Sequence, residues 1–180
     1  MRIIAGKYRH RIISMTNLDT TRETQDSVRE AMFNTIGPYF DGGIALDLFC
    51  GSGALCIEAY SRGIEKIYLN DLEPKAISVV KKNLNDLKIN DAYITSFDYL
   101  KAISFYEEKK LKFDYVFLDP PYRLNNINEI LNSLKNIINS DTLIVFEMAN
   151  ESDANVEGFK IIKEKKYGIK KIVYYKYLNE

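Results

Sequence analysis

Ile44-Ala45-Leu46-Asp47-Leu48-Phe49-Cys50-Gly51-Ser52-Gly53 runs from an apolar segment through an acid into two closely spaced glycines, and the stretch 54–62 behind it is helix-like and stopped by Gly63. Strand, glycine turn and helix in that order let a backbone approach a nucleotide-like ligand closely. The pattern is not the dinucleotide fingerprint. Cys56 stands where that fingerprint has its third small residue, and Asp47 precedes the glycines, where it would repel a pyrophosphate. An acid in that place suits a cationic ligand; a plain tight turn between strand and helix is the alternative for this stretch alone.

From residue 44 onward strand and helix alternate. Strands are predicted near 44–49, 66–70, 92–96, 114–118 and 142–148, with helices near 54–62, 74–87, 99–109 and 127–138. That alternation is the signature of a parallel sheet built from right-handed crossovers. Residues 159–165 and 169–177, around Tyr167-Gly168, read as a closing hairpin. Upstream, residues 2–5 and 11–15 read as a small β-hairpin around Gly6-Lys7-Tyr8. Residues 24–36 read as an amphipathic helix with Val28, Ala31, Met32, Phe33 and Ile36 on one face, ended by Gly37-Pro38.

Several predicted strands end in an acid. Asp71 follows Ile67-Tyr68-Leu69-Asn70, roughly 20 residues past the glycines, where an open α/β sheet places a carboxylate that accepts ribose hydroxyls. Glu73 precedes Pro74 and belongs to the next helix start, where a carboxylate is favoured anyway. Phe97-Asp98 follows the third strand; the pair fits the flank of an adenine ring, and Asp98 fits equally well as an N-cap. After the fourth strand comes Asp119-Pro120-Pro121-Tyr122. Two prolines lack N–H donors and fix φ, so this turn is a stiff frame of acceptors: a carboxylate and a backbone carbonyl for the two N–H groups of a planar amine, with an aromatic ring to stack on the base. The bland alternative is a strand end with Tyr122 packed on the surface. Glu147, near the end of the fifth strand, is either a pocket residue or a capped strand end.

Composition excludes several classes. With 46% hydrophobic and 28% charged residues, the 180-residue chain is a globular protein rather than a disordered one, and one domain over 1–180 is expected, with 1–40 as an extension and 41–180 as a core. No apolar run reaches the length of a membrane span and no secretory h-region follows the first basic residues, so a cytoplasmic location is expected. Cys50 and Cys56 lack partners at metal spacing, so reduced thiols are expected and a metal site is not. The formal net charge is zero, yet the charge is uneven. Arg2, Lys7, Arg9 and Arg11 stand without an acid in residues 1–15, and the C-terminal stretch is rich in lysine. Such a polarised surface suits a phosphate backbone; for the C-terminal lysines, solvation of exposed strands is an equal alternative. His10, the lone histidine, lies in the basic hairpin and reads as a phosphate or solvent contact.

Taken together, Met1 to Lys7, Val28 to Asn34, Asp47-Leu48-Phe49, Gly51 to Leu55, Ser61-Arg62-Gly63, Phe117 to Tyr122, Phe146-Glu147 and Tyr167-Gly168 resemble the RsmD-type bacterial enzymes, a branch of the class I methyltransferases, nearly end to end. The resemblance implies a Rossmann-like α/β fold: a seven-stranded, mostly parallel sheet with helices on both faces, the final hairpin supplying the one antiparallel strand. It implies S-adenosylmethionine as cofactor and the exocyclic N2 of a guanine in 16S rRNA, free or in an assembling small subunit, as methyl acceptor. The implied cofactor residues are Asp47, Phe49, Gly51, Ser52, Gly53, Ala54, Asp71, Leu72, Phe97, Asp98 and Asp119. The implied catalytic residues are Asp119, Pro120, Pro121 and Tyr122, and the RNA-binding residues are Arg2, Lys7, Arg9, Arg11, Arg22, Arg29 and Arg123. A monomer is expected. Two rivals stand beside this reading. A DNA adenine-N6 methyltransferase would use the same acceptor frame, although such enzymes generally carry an added duplex-reading domain, and a non-catalytic binding protein on the same fold would not need the frame.

Overall fold

In this computed structural model, which describes residues 1–16, 26–124 and 126–179, five short apolar strands pair in parallel: β1 (Ile44–Asp47), β2 (Lys66–Asn70), β3 (Ala92–Thr95), β4 (Tyr115–Leu118) and β5 (Leu143–Ala149). Two more, β6 (Phe159–Tyr167) and β7 (Lys170–Tyr177), form a hairpin that joins through β7, which runs antiparallel to both β5 and β6. The sheet order is β3-β2-β1-β4-β5-β7-β6. Near-continuous apolar runs fit this position, because strands covered on both faces bury both of their rows.

The pleat sends alternate residues to two cores. Ala45, Ile67, Leu69, Phe117 and Val145 pack against Met32 and Phe33 of α1 (Asp26–Ile36), Leu55 and Ile57 of α2 (Ala54–Ser61), and Val80 and Leu84 of α3 (Pro74–Leu87). Leu46, Val116, Leu118, Ile144 and Phe146 pack against Ala102, Ile103 and Tyr106 of α4 (Tyr99–Glu108), and Ile130 and Leu131 of α5 (Ile127–Ser133). Helices therefore cover both faces, as the resemblance implies. Chain connections leave β1 toward β2 on one side and reach β4 on the other, which opens a crevice at the carboxyl ends of β1 and β4.

One detail differs from expectation. The predicted helix 127–138 stops at Ser133 and tightens into a 3-10 turn, Leu134–Asn136, where the Ser133 hydroxyl donates to the Ile130 carbonyl at 2.6 Å. The small N-terminal hairpin forms with one antiparallel bridge, Arg2 with Ile12, and the amides of Ile3, His10 and Ile13 donate across it to the carbonyls of Arg11, Ile3 and Met1 at 2.9, 2.9 and 3.0 Å. Four further amides are drawn to α2: those of Ile4 and Ala5 donate to the Glu58 carboxylate at 2.9 and 3.1 Å, that of Lys7 to the Ser61 carbonyl at 2.7 Å and that of Tyr8 to the Ser61 hydroxyl at 2.9 Å. The segment is thus stapled onto α2, with Gly6 at φ +83° and its Cα so close that a Cβ would lie 1.8 Å from the Ser61 carbonyl oxygen. The predicted helix 24–36 is present from Asp26 to Ile36; residues 24 and 25 lie outside the described residues. Among the described residues no helix is long and apolar enough to cross a membrane.

Candidate active site

The carboxyl edge of the sheet is tied together before any ligand is considered. β1 gives way to the glycine turn when the Leu48 amide donates to the Phe117 carbonyl at 3.2 Å and the Cys50 amide to the Asn70 carbonyl at 2.9 Å. Gly53 then enters α2 at φ +80°, and a Cβ there would meet the Leu69 side chain at 3.0 Å, so only glycine combines this turn with this packing. Asp71 fixes the turn from the next strand. Its carboxylate accepts from the Gly51 amide at 2.9 Å and from the Glu73 amide at 2.9 Å. Buried Asn70 joins three strand ends: its amide donates to the carbonyls of Leu48 and Phe97 at 3.1 and 3.0 Å, and its oxygen accepts from the Thr95 hydroxyl at 2.9 Å.

Acids concentrate on this edge. Asp47 is 2% exposed, and its Oδ1 has no hydrogen-bond partner among the described residues. Burial pushes its carboxyl well above the usual carboxylate range, Asp119 and Asp71 push it further, and only the Phe49 amide opposes them. Such an orphaned, desolvated oxygen is the partner an ammonium group requires, so the chemistry of the crevice fits a cationic ligand. Asp119 is held up to about 7, first by burial and then by Glu147, with Lys170 pulling the other way. Lys170, from the start of β7, is ion-paired with Glu147, and its ammonium lies 5.9 Å from the centre of the Tyr122 ring. Although burial alone would depress the Lys170 ammonium, its neighbours Asp119 and Glu147 reverse the direction and raise it.

These groups line one cavity of about 1360 Å³. Ligand pockets commonly measure roughly 300–1,000 Å³, so this one has room for a cofactor and part of a second ligand. Of the expected cofactor residues, all but Gly53 reach its wall; Gly53 stays behind the turn, in contact with the core. Asp119, Pro120, Pro121 and Tyr122 line it together, the Tyr122 ring being 61% exposed at the mouth. Asp98 does both things its sequence position allowed: it lies on the wall, and its carboxylate caps α4 by accepting from the Lys101 amide at 3.0 Å.

The expected RNA contacts divide. Arg2, Lys7, Arg9 and Arg11 are exposed on the N-terminal segment, and Arg123 is exposed at the cavity mouth. Arg29 corrects the expectation. It is 1% exposed, its guanidinium pairs with Glu58 at 3.7 Å and Asp26 at 3.2 Å and donates to the Arg2 carbonyl, so it holds the N-terminal segment and does not face a phosphate backbone. Arg22 lies outside the described residues. Glu147 sits within β5 on the cavity wall, closer to a pocket residue than to a strand cap. Lys170 and Asn70 were not singled out from the sequence. Asn70 carried a usable signal, since a buried amide just before an acid at a strand end has to satisfy several hydrogen bonds.

Comparison with known proteins adds an independent view. The family described as conserved hypothetical protein 95 matches residues 1–176. The chain is 36% identical over 181 residues to a Bacillus subtilis (strain 168) protein provisionally named rRNA methyltransferase YlbH, covering 98% of each chain. It is 34% identical over 177 residues to ribosomal RNA small subunit methyltransferase D of Haemophilus influenzae, covering 94% of this chain and 90% of that one. Among solved structures, an Escherichia coli protein provisionally described as the methyltransferase yhhF superposes with a TM-score of 0.87 at 28% identity, over 100% of this chain and 99% of that one.

Proposed function

The chain belongs to the conserved hypothetical protein 95 family, that of the RsmD-type methyltransferases, and from that premise we propose that it transfers a methyl group from S-adenosylmethionine to the exocyclic N2 amine of a guanine in 16S rRNA. The observation that carries the reading is the pairing, in one cavity, of the buried Asp47 carboxylate, whose Oδ1 has no partner among the described residues, with the stiff corner Asp119-Pro120-Pro121-Tyr122, whose prolines bring no N–H.

S-adenosylmethionine supplies an electrophilic methyl carbon. Asp47 offers its orphaned Oδ1 to the ammonium of the cofactor's amino-acid end, which relieves the cost of that buried charge. Asp71 already accepts two backbone amides, but a carboxylate has about four lone-pair sites, and those left over accept ribose hydroxyls. Phe49 and Phe97 give the wall its apolar faces. On the acceptor side, a base taken out of its stack presents its ring to Tyr122, and its amine donates to the Asp119 carboxylate and the Pro120 carbonyl. Holding both N–H groups keeps the amine's lone pair directed along the line of transfer, so most of the rate comes from positioning and from excluding water. After attack the methylated nitrogen is strongly acidic. Asp119, with a carboxyl poised near 7, accepts that proton or passes it to solvent.

Radiolabelled S-adenosylmethionine, incubated separately with 16S rRNA, assembling small subunits and duplex DNA, tests the reading. Label should enter an rRNA-containing substrate as N2-methylguanine. Label in adenine of DNA instead would replace this reading with its rival. Asp71→Ala should lose cofactor binding first, while Asp119→Ala should lose transfer and keep the cofactor.

A further inference from the structure

Lys170 pairs across the sheet with Ala149, and Glu147 pairs with Ile172, so the two charged residues are diagonal neighbours on one face of β5 and β7. β4 lies on the other side of β5, with Phe117 beside Val145, and the chain that leaves β4 places Asp119 next to Glu147. Lys170 therefore stands among three parts of the acceptor site: it is ion-paired with Glu147, it lies over the Tyr122 ring, and it acts on Asp119 through space. A lysine needed only for solubility would extend into water. This one is only 22% exposed, held beside two acids.

Resting on the reading above, we propose that Lys170 is a positioning residue of the methyl-acceptor site, neutralising Glu147 and bracing the Tyr122 ring so that Asp119 faces the incoming amine as an acceptor. The charged and titratable groups around Asp119 are Asp47 from β1, Glu147 from β5, Lys170 from β7, Glu151 beyond β5, and Tyr122 and Arg123 in its own loop. Burial and Glu147 both favour the protonated carboxyl of Asp119, and Lys170 opposes them. A protonated Asp119 would offer a donor where the amine brings donors of its own, and the frame would fail. Glu147 sets the need for Lys170: without a cation beside it, a second carboxylate at this edge works against the first.

Lys170→Met, Lys170→Arg and Glu147→Gln test this in the full-length protein, with melting curves to verify folding. Two readouts are taken: the pH dependence of kcat/KM for methyl transfer, and the titration of the Asp119 carboxylate followed by carbon-13 NMR without substrate, assigned with Asp119→Asn. Lys170→Met should move both midpoints upward by about one pH unit, so that roughly tenfold less enzyme is active at a pH below the midpoint, while cofactor affinity changes by less than about twofold. Lys170→Arg should restore most of the loss, and Glu147→Gln should move the titration downward. If Lys170→Met lowers kcat while the Asp119 titration stays in place, or Lys170→Arg is as impaired as Lys170→Met, the residue merely supports the hairpin and the proposal fails. The NMR arm separates this outcome from the fate of the broader reading. An Asp119 titration that moves in a protein unable to methylate any RNA would remove the substrate assignment and leave the coupling of Lys170 to Asp119 in place.

Discussion

Asp47→Asn removes a charge from the interior with almost no change of shape, and it should stabilise the cofactor-free protein while crippling its function. Asp47 is buried, with no partner for its Oδ1 among the described residues, and burial first, then Asp119 and Asp71, hold its carboxyl well above the usual range. A carboxyl whose folded-state pKa is raised binds its proton more tightly in the folded form. Its contribution to stability is therefore intact below the unfolded value near 4, falls as pH rises toward the folded value, and is a full deficit above it. An unsatisfied buried polar group costs about 1–3 kcal/mol, and the Asn amide can donate to the carboxylates that repel Asp47. For a chain of this size, 1 kcal/mol moves Tm by about 2–4 °C, so the variant should melt roughly 2–12 °C higher at about pH 8 and at the same temperature as the parent near pH 4. Its cofactor binding should weaken by roughly 10- to 150-fold, the equivalent of about 1.5–3 kcal/mol for a hydrogen bond to a charged group. Melting curves across pH, without ligand, and calorimetric titration with S-adenosylmethionine measure the two effects. A variant that melts below the parent at about pH 8 without ligand would refute the reasoning, since Asp47 would then be a satisfied, stabilising charge.

Asp119→Asn should transfer no methyl group with cofactor affinity nearly kept. In the parent enzyme, kcat/KM should rise with pH through about 7, because the raised carboxyl of Asp119 becomes an acceptor only on losing its proton; a flat profile from acid to mildly alkaline pH would contradict this. Glu58→Ala leaves buried Arg62 without its ion pair and Arg29 with Asp26 alone, and it frees the N-terminal segment, so it should cost about 3–5 kcal/mol, seen as a Tm lower by roughly 6–20 °C; a loss under about 1 kcal/mol would show that the staple is unimportant. Lys7→Ala, Arg9→Ala and Arg11→Ala, all exposed, should each reduce the salt slope of RNA binding by about 0.7 if they meet single-stranded phosphates, and an unchanged slope in all three would confine the segment to the fold. Point changes are preferable to deletion there, because Ile3, Tyr8 and Ile13 are part of the core.

The parallel sheet was legible because its information is local: each apolar run, turn and helix carries its own period, and the acids Asp47, Asp71 and Asp119 follow directly from the strands that deliver them. The acceptor frame was legible for the same reason, being four consecutive residues. Lys170 was not, since nothing near it in sequence distinguishes it from the other lysines of the hairpin; only the antiparallel register that sets it against Ala149 brings it to Glu147. Arg29 misled in the opposite sense. An arginine on an amphipathic helix reads as exposed, and its burial is made tolerable by Glu58 from α2 together with Asp26 and the Arg2 carbonyl. The N-terminal hairpin was legible but its attachment was not, because nothing local reveals that Glu58 and Ser61, some fifty residues on, capture the amides of Ile4, Ala5 and Tyr8.

The groups that meet at the carboxyl edge arrive from β1, the residue after β2, the residue after β4, β5 and β7. No single element of the chain holds more than one part of this assembly. Ligand affinity should accordingly behave as an all-or-none gauge of the native population, absent from any partly paired intermediate, and a lesion far from the crevice that loosens a single strand should register there as fewer competent molecules rather than as slower ones.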